Sequence, residues 1–332
     1  MLELPPDSKV RDSMPRNEGN TVPDSGTEVP RYAGSHHFFR GPSLEQVSNF
    51  DIALLGIPFD SGTSYRPGAR FGPSAVRSAS RHLRPGYHSE LEISPFSVAQ
   101  IVDAGDVAAN PFDMEAAVVS IHQGASAILS TGAGLVSIGG DHSIALPLLR
   151  AVVERKGPVA LVHFDAHLDT WNSYFGASLT HGTVFRRASE EGLLIDDHSV
   201  HIGIRGPLYD RLDLVTDKRL GFQTITAFDL QRLGLAEVNE LILKRVGDNP
   251  VYISVDIDVL DPAFAPGTGT PEVGGLSSRE LLMLLRGLSN LNIAAADVVE
   301  VCPAYDSAEV TALAAATVAY ELTTLIAGIR SR

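Results

Sequence analysis

The 332-residue chain has a single cysteine, Cys302, and a single tryptophan, Trp171. One thiol excludes an intramolecular disulfide and a zinc site built from cysteine pairs, and makes a reducing compartment the default. Basic residues are also scarce. Lys and Arg number 26 against 40 Asp and Glu, giving a net charge of −14 at pH 7. A surface of that sign repels a phosphate backbone, so no nucleic acid partner is expected, and a small cationic substrate suits the balance better. No membrane span is expected either. The most apolar late stretch, AEVTALAAATVAYELTTLIAG, carries Glu309 and Glu321 and reads as a buried core helix. The opening MLELPPDSKVRDSMPRNEGN has neither the apolar run of a secretory leader nor the acid-poor, Arg-rich character of a transit peptide, so the cytoplasm is the expected compartment.

Residues 1–33 are polar, without periodicity, and punctuated by Pro5, Pro6, Pro15, Pro23 and Pro30. That composition predicts a flexible N-terminal arm. From Asp51 onward short Val- and Ile-rich runs recur: DIALLGI, SVAQIVDAG, GLVSIGG, VALVHFD, VHIGIRG, FQTIT, VYISVDID and IAAADVVEV. Most are apolar at consecutive positions, as strands covered on both faces must be. Helix-like stretches such as SIALPLLRAVVERK and SSRELLMLLRGL lie between them. Alternation of this kind predicts an α/β fold in three layers, with a central parallel sheet of about eight strands. No internal linker divides the body, so residues 34–332 read as a single catalytic domain.

The placement of His and Asp carries the chemistry. GLVSIGG runs into Asp141-His142-Ser143, VALVHF into Asp165-Ala166-His167-Leu168-Asp169, and VYISV into Asp256-Ile257-Asp258. Ligands in open α/β sheets bind beyond the carboxyl ends of strands, where all three clusters fall. Extended backbone alternates its side chains, so Asp165, His167 and Asp169 are expected to point together, as are Asp256 and Asp258. A lone Asp after a strand is usually a cap or a loop residue. Three such clusters, each with metal-binding chemistry, are a different matter. Carboxylates and imidazoles without thiolate favour manganese over structural zinc. Two divalent ions would neutralise the four carboxylates, and a pair about 3.5–4 Å apart can lower the pKa of a shared water toward neutrality.

At these residues the sequence resembles the ureohydrolases, the arginase and agmatinase family, and is closest to agmatinase. The matching segments are GIPFDSGTSYRPGARFGP (56–73), GGDHS (139–143), FDAHLD (164–169), HGT (181–183), SVDIDVLDPAFAPGTGTPEVGGL (254–276) and VVEVCPAYD (298–306). The likeness extends over about residues 50–325. It implies the three-layer fold shared with metal-dependent deacetylases and two Mn²⁺ per subunit. His142, Asp165, Asp169 and Asp256 would hold one ion; His167, Asp165, Asp256 and Asp258 would hold the other. The resemblance further makes His181 a proton shuttle and Glu300 the partner of a substrate guanidinium, with Asp169 orienting the nucleophile. The implied reaction cleaves a guanidino group to urea and an amine. A deacetylase would use one zinc and lack the second-metal set, and a non-catalytic regulatory relative would have lost ligands, His181 or Glu300. Homotrimers or homohexamers are common in the family and expected here.

For the substrate, the arginases place an asparagine two residues beyond the last aspartate of this motif. Here Thr170 and Trp171 follow Asp169. That departure counts against arginine, and the remaining motifs resemble agmatinase, which implies agmatine hydrolysis to putrescine in polyamine metabolism. Trp171, with Tyr174 or Phe175, is expected to wall the four-carbon chain and to attract its ammonium. The alternatives are 4-guanidinobutyrate, 3-guanidinopropionate and proclavaminate-type substrates, whose carboxylates would need a cation. Arg186 and Arg187 are the candidates, although paired arginines are more commonly solvated helix residues. Cys302 reads as a packed small hydrophobe rather than a nucleophile.

Overall fold

A computed structural model describes residues 19–330. Part of the expected arm, residues 1–18, lies outside the described residues. The rest of it, 19–33, has no regular structure but is fastened to the body. Thr21 N–H donates to Gln100 Oε1 at 2.7 Å, and Arg31 reaches the His82 carbonyl at 2.8 Å.

The apolar runs form eight strands: β1 (Ile52–Ile57), β2 (Ile101–Asp106), β3 (Gly134–Gly139), β4 (Ala160–Phe164), β5 (Ser199–Ile204), β6 (Phe222–Thr226), β7 (Pro250–Asp256) and β8 (Asn292–Val299). They pair in parallel in the order β2-β1-β3-β8-β7-β4-β5-β6. Every residue of β1, β3, β4 and β5 is buried, which explains their consecutive apolar positions.

Helices cover both faces: α1 (Gly72–Ser80), α2 (Met114–Leu129), α3 (Ala145–Lys156), α4 (Val184–Glu190), α5 (Leu212–Arg219), α6 (Ala227–Leu233), α7 (Leu235–Val246), α8 (Ser278–Arg286) and α9 (Val310–Arg330). Ile121, Leu149 and Phe185 bring α2, α3 and α4 onto one face with Leu161 and Tyr252. Val76, Ile242, Leu284 and Leu322 bring α1, α7, α8 and α9 onto the other with Val162 and Ile253. The α9 helix is long and apolar enough to cross a bilayer, yet 72% of its most apolar window is buried inside the fold. Its Glu321, almost fully buried, pairs with His88 at 2.9 Å and Arg286 at 2.6 Å.

Two features prepare the sheet for a site. The strands that precede the His and Asp clusters, together with β8, are the four adjacent central ones: β3, β8, β7 and β4. Because all are parallel, their carboxyl ends share one edge. Just behind that edge a polar row crosses the sheet. Ser137, Asp297, Ser254, His163, His201 and Thr224 are register partners from β3 to β6.

Gly140, immediately after β3, ties the edge together. Its N–H donates to the Ile57 carbonyl at 2.9 Å, and its own carbonyl accepts from Glu300 N–H at 2.8 Å. A Cβ at Gly140 would sit 1.6 Å from the Phe59 carbonyl oxygen, so backbone would have to move. Gly140→Ala is expected to cost about 3 kcal/mol, at the upper end of ordinary overpacking, read as a lower urea midpoint. An unchanged midpoint would show that the loop yields without cost.

Candidate active site

The convergence of the clusters is real, but its backbone is not the expected one. β4 ends at Phe164, before any of its acidic residues, and Asp169 takes a left-handed φ of 55°. Asp256 is the last residue of β7, and Asp258 lies in the 3-10 turn Ile257–Val259. Strand alternation therefore does not aim these side chains. Turns do, stitched by carboxylates that accept from nearby amides. Asp165 Oδ1 accepts from His167 N–H at 2.6 Å, Asp256 Oδ1 from Asp258 N–H at 2.8 Å, and Asp258 Oδ1 from Ala166 N–H at 3.1 Å.

All six expected ligands meet in two overlapping groups. His142 Nδ1 lies 3.3 Å from Asp165 Oδ2, 3.0 Å from Asp169 Oδ2 and 3.4 Å from Asp256 Oδ2. His167 Nδ1 lies 3.3 Å from Asp165 Oδ1 and 3.1 Å from Asp258 Oδ2. Asp165 belongs to both groups. Asp256 meets His142 directly and touches the second group through the Asp258 amide.

The donor set fits divalent ions on three grounds. Ser254 Oγ donates to Asp297 Oδ1 at 2.6 Å, so it accepts from His142 Nε2–H at 2.8 Å. A neutral His142 therefore keeps its proton on Nε2 and turns the Nδ1 lone pair toward the carboxylates. Burial opposes a charge on the ring, but in the absence of a cation those carboxylates raise its pKa well above the ordinary value and draw a second proton there. Nδ1 is buried and makes no hydrogen bond. Donors around an ion with bonds of about 2.1 Å stand roughly 3 Å apart in octahedral geometry, which is the spacing found. Charge gives the third ground. Burial, then the neighbouring carboxylates, push Asp256 well above the usual carboxylate range and carry Asp258 to about 6. Protein groups alone leave this volume too negative.

Glu300 and His181 stand beside the centre. Glu300 is 1% exposed and, like Asp169, has a left-handed backbone, with φ 65°. Its Oε1 accepts from His142 N–H at 2.9 Å and from His181 Nδ1–H at 3.1 Å. Its Oε2 is buried without a partner, next to Gly269, where a Cβ would come within 3.3 Å. His181 Nε2 accepts from Ser64 N–H at 3.1 Å and meets Ser64 Oγ at 2.6 Å. Burial disfavours a charge on this ring, but the bond to Glu300 and the nearby carboxylates carry it up to about 9. Nε2, facing Ser64, is thus the position where a second proton comes and goes.

These groups open onto a cleft of about 490 Å³. Trp171 lines it with Tyr174 and Tyr209, whose rings meet the indole edge-on at 5.7 and 5.8 Å. Phe175 reaches the rim but is 95% exposed. Arg186 and Arg187 are not in the lining. Arg186 pairs with Glu190 at 2.8 Å, and Arg187 binds Asn172 and Glu190 on the α4 surface. The arginine in the cleft lining is Arg66, whose guanidinium stacks over Tyr305 at 5.0 Å. Cys302 is fully buried, and burial pushes its thiol to about 12, so it is no nucleophile.

Sequence reasoning missed His163, whose Nε2 sits 2.8 Å from Asp165 Oδ2, and with it the rest of the polar row. A signal was present: VHF, VHIGI, YISV and AADVV each place one polar side chain inside an apolar strand. Tyr209 and Arg66 gave none, because loop geometry alone brings them to the cleft.

Residues 50–324 match the Arginase family. Guanidinobutyrase from Pseudomonas aeruginosa is 40% identical, covering 93% of this chain and 98% of that protein. Agmatinase from Salmonella paratyphi B is 44% identical, covering 83% and 87%. The solved structure of proclavaminate amidino hydrolase from Streptomyces clavuligerus superposes with a TM-score of 0.86 at 44% identity, covering 92% of this chain and all of that one.

Asp256→Ala removes a carboxylate that faces His142 and braces Asp258. The variant is expected to keep its far-UV circular dichroism and to lose at least one of about two divalent ions per chain, counted by elemental analysis. Wild-type metal content in that variant would refute the placement of Asp256.

Proposed function

The chain belongs to the arginase family, and on that premise we propose that it hydrolyses agmatine to urea and putrescine with two manganese ions bound. It is a hydrolase of guanidino C–N bonds. The observation that carries the reading is Glu300 Oε2, a buried carboxylate oxygen left unbonded beside the metal-binding groups. A guanidinium offers parallel N–H donors, and a charge-assisted bond from it would satisfy that oxygen. Two divalent ions, when bound, lower the pKa of water and so make a strong nucleophile available at neutral pH. Imidazole and carboxylate donors without thiolate suit manganese.

The residues divide the remaining work. Glu300 holds the guanidinium carbon in place, and its rigid, buried setting makes that hold an orienting one. Asp169 is placed to orient the attacking group by accepting a hydrogen bond. His181 gives the proton at Nε2 to the departing amine, which leaves readily only when protonated. Trp171, Tyr174 and Tyr209 cover the alkyl chain and exclude water, and the ring faces favour a terminal ammonium. The family premise carries a homotrimer or homohexamer as well, and the lone cysteine suits a cytoplasmic setting.

Arg66 supports a second reading, a guanidino acid whose carboxylate it would meet. Among the described residues its guanidinium has no ion pair. Urea release from manganese-loaded protein decides between the two. Agmatine is expected to give the highest kcat/KM among agmatine, 4-guanidinobutyrate, 3-guanidinopropionate and arginine. A carboxylate-bearing substrate in first place would overturn agmatine in favour of the second reading.

His181 supplies a pH prediction. Its raised pKa keeps the donating form present at neutral pH and removes it as pH rises through about 9. His181→Asn is expected to lower kcat roughly 10²–10⁴-fold and to abolish that alkaline limb. An unaltered pH–rate profile would dismiss the proton transfer.

A further inference from the structure

The α5 helix is built inside out. Leu212 is 63% exposed and Leu214 43%, while Asp217 is its one buried residue and is fully enclosed. Burying a carboxylate is costly unless it is well bonded, so an exposed-leucine helix that buries its aspartate needs a reason. Asp217 is well bonded. Its Oδ1 accepts from Thr170 Oγ1 at 2.9 Å and faces His201 Nε2 at 3.1 Å, and its Oδ2 accepts from Thr224 Oγ1 at 3.0 Å. Burial opposes its charge, but His201 and these hydroxyls hold its carboxyl below the usual range.

Two branches lead from Asp217 to the centre. Along the polar row, His201 Nδ1 meets His163 Nδ1 at 2.6 Å, and His163 Nε2 meets Asp165 Oδ2 at 2.8 Å. All four side chains on this path are buried. On the other branch, Thr170 follows Asp169 directly in the chain, so the Thr170 hydroxyl bond adds a side-chain restraint to the left-handed backbone of Asp169, whose carbonyl also accepts from Phe185 N–H at 3.0 Å. One carboxylate on an outer helix thereby restrains two ligands: the one shared by both groups and the one held in an unfavourable conformation.

We propose that Asp217 is a positioning residue for the metal centre, fixing Asp165 through His201 and His163 and Asp169 through Thr170. The inference rests on reading the His and Asp cluster as a dinuclear metal centre, and is independent of which guanidino compound is hydrolysed. Partners beyond the directly bonded groups typically set metal affinity by 10- to 100-fold.

The test is a Mn²⁺ titration of the full-length, chelator-stripped protein, with free Mn²⁺ followed by electron paramagnetic resonance. Asp217→Ala, with wild-type circular dichroism and elution volume, is expected to bind Mn²⁺ about 10- to 100-fold more weakly. Asp217→Asn keeps acceptors for Thr170 and His201 and is expected to recover most of that loss. Excess Mn²⁺ should restore kcat of the alanine variant while KM stays within about twofold of wild type, a split that mere loosening of α5 would not produce. Should Asp217→Ala fail to fold, His201→Leu and Thr170→Val each cut one branch, and each is expected to weaken Mn²⁺ binding several-fold. Wild-type affinity in folded Asp217→Ala, or in both branch variants, overturns the proposal while the metal-centre reading stands. Wild-type protein that binds no Mn²⁺ overturns both.

Discussion

Four aspartate carboxylates and two imidazoles occupy one buried volume at the carboxyl edge of the sheet, and their mutual repulsion is what the surrounding structure must accommodate. Two like charges 4 Å apart cost about 4 kcal/mol at an effective dielectric near 20. Asp165, Asp169, Asp256 and Asp258 are all buried, and solvent does little to relieve them. Protons could neutralise the set, and the upward displacement of Asp256 and Asp258 shows that tendency. The imidazoles are drawn the same way: burial opposes their charge, but the carboxylates raise His142 and His167 well above the ordinary histidine range. In neutral His142 the bond to Ser254 keeps the proton on Nε2, so Nδ1 faces three carboxylates and takes either a cation or a second proton. Such an arrangement is stable with cations in it and poorly balanced otherwise.

Holding six ligands in that state takes more than the turns that carry them. The polar row behind the edge anchors them from below. Asp297, accepting from Ser254 and Tyr252, stands behind His142, and His163 with His201 stands behind Asp165. Left-handed backbone at Asp169 and Glu300 costs on the order of 1–3 kcal/mol each, and persists only where neighbours overdetermine it. At Glu300 the anchor is its N–H bond to the Gly140 carbonyl; at Asp169 the carbonyl accepts from Phe185 N–H, and the hydroxyl bond of the next residue adds to it. The large apolar clusters on both faces supply the stability from which this strain is drawn.

Much of this was legible in the sequence, and the boundary of legibility is physical. Runs such as GLVSIGG and VALVHF announce buried parallel strands because both of their faces are apolar, and the structure has all eight. The gathering of His142, Asp165, His167, Asp169, Asp256 and Asp258 was legible because strand-end Asp and His are informative wherever a parallel sheet gathers its carboxyl ends. Their aiming was not. Alternation fails beyond Phe164, since a turn with a left-handed aspartate has no periodicity to read. Arg186 and Arg187, candidates for a substrate carboxylate, follow the commoner course of paired arginines, and their neighbour Glu190 holds them on the α4 surface. Arg66 reaches the cleft from a loop, where sequence distance says nothing of spatial distance. Asp217 was hidden most deeply, because its helix shows no amphipathic face pointing inward and its importance lies in partners brought from β5, β6 and the Asp169 turn.

The most direct test of the dinuclear centre is anomalous diffraction from crystals of the manganese-loaded protein. The account predicts two peaks per chain, one beside His142 Nδ1 and the other beside His167 Nδ1, with Asp165 between them. A single peak, or peaks away from these nitrogens, would contradict it.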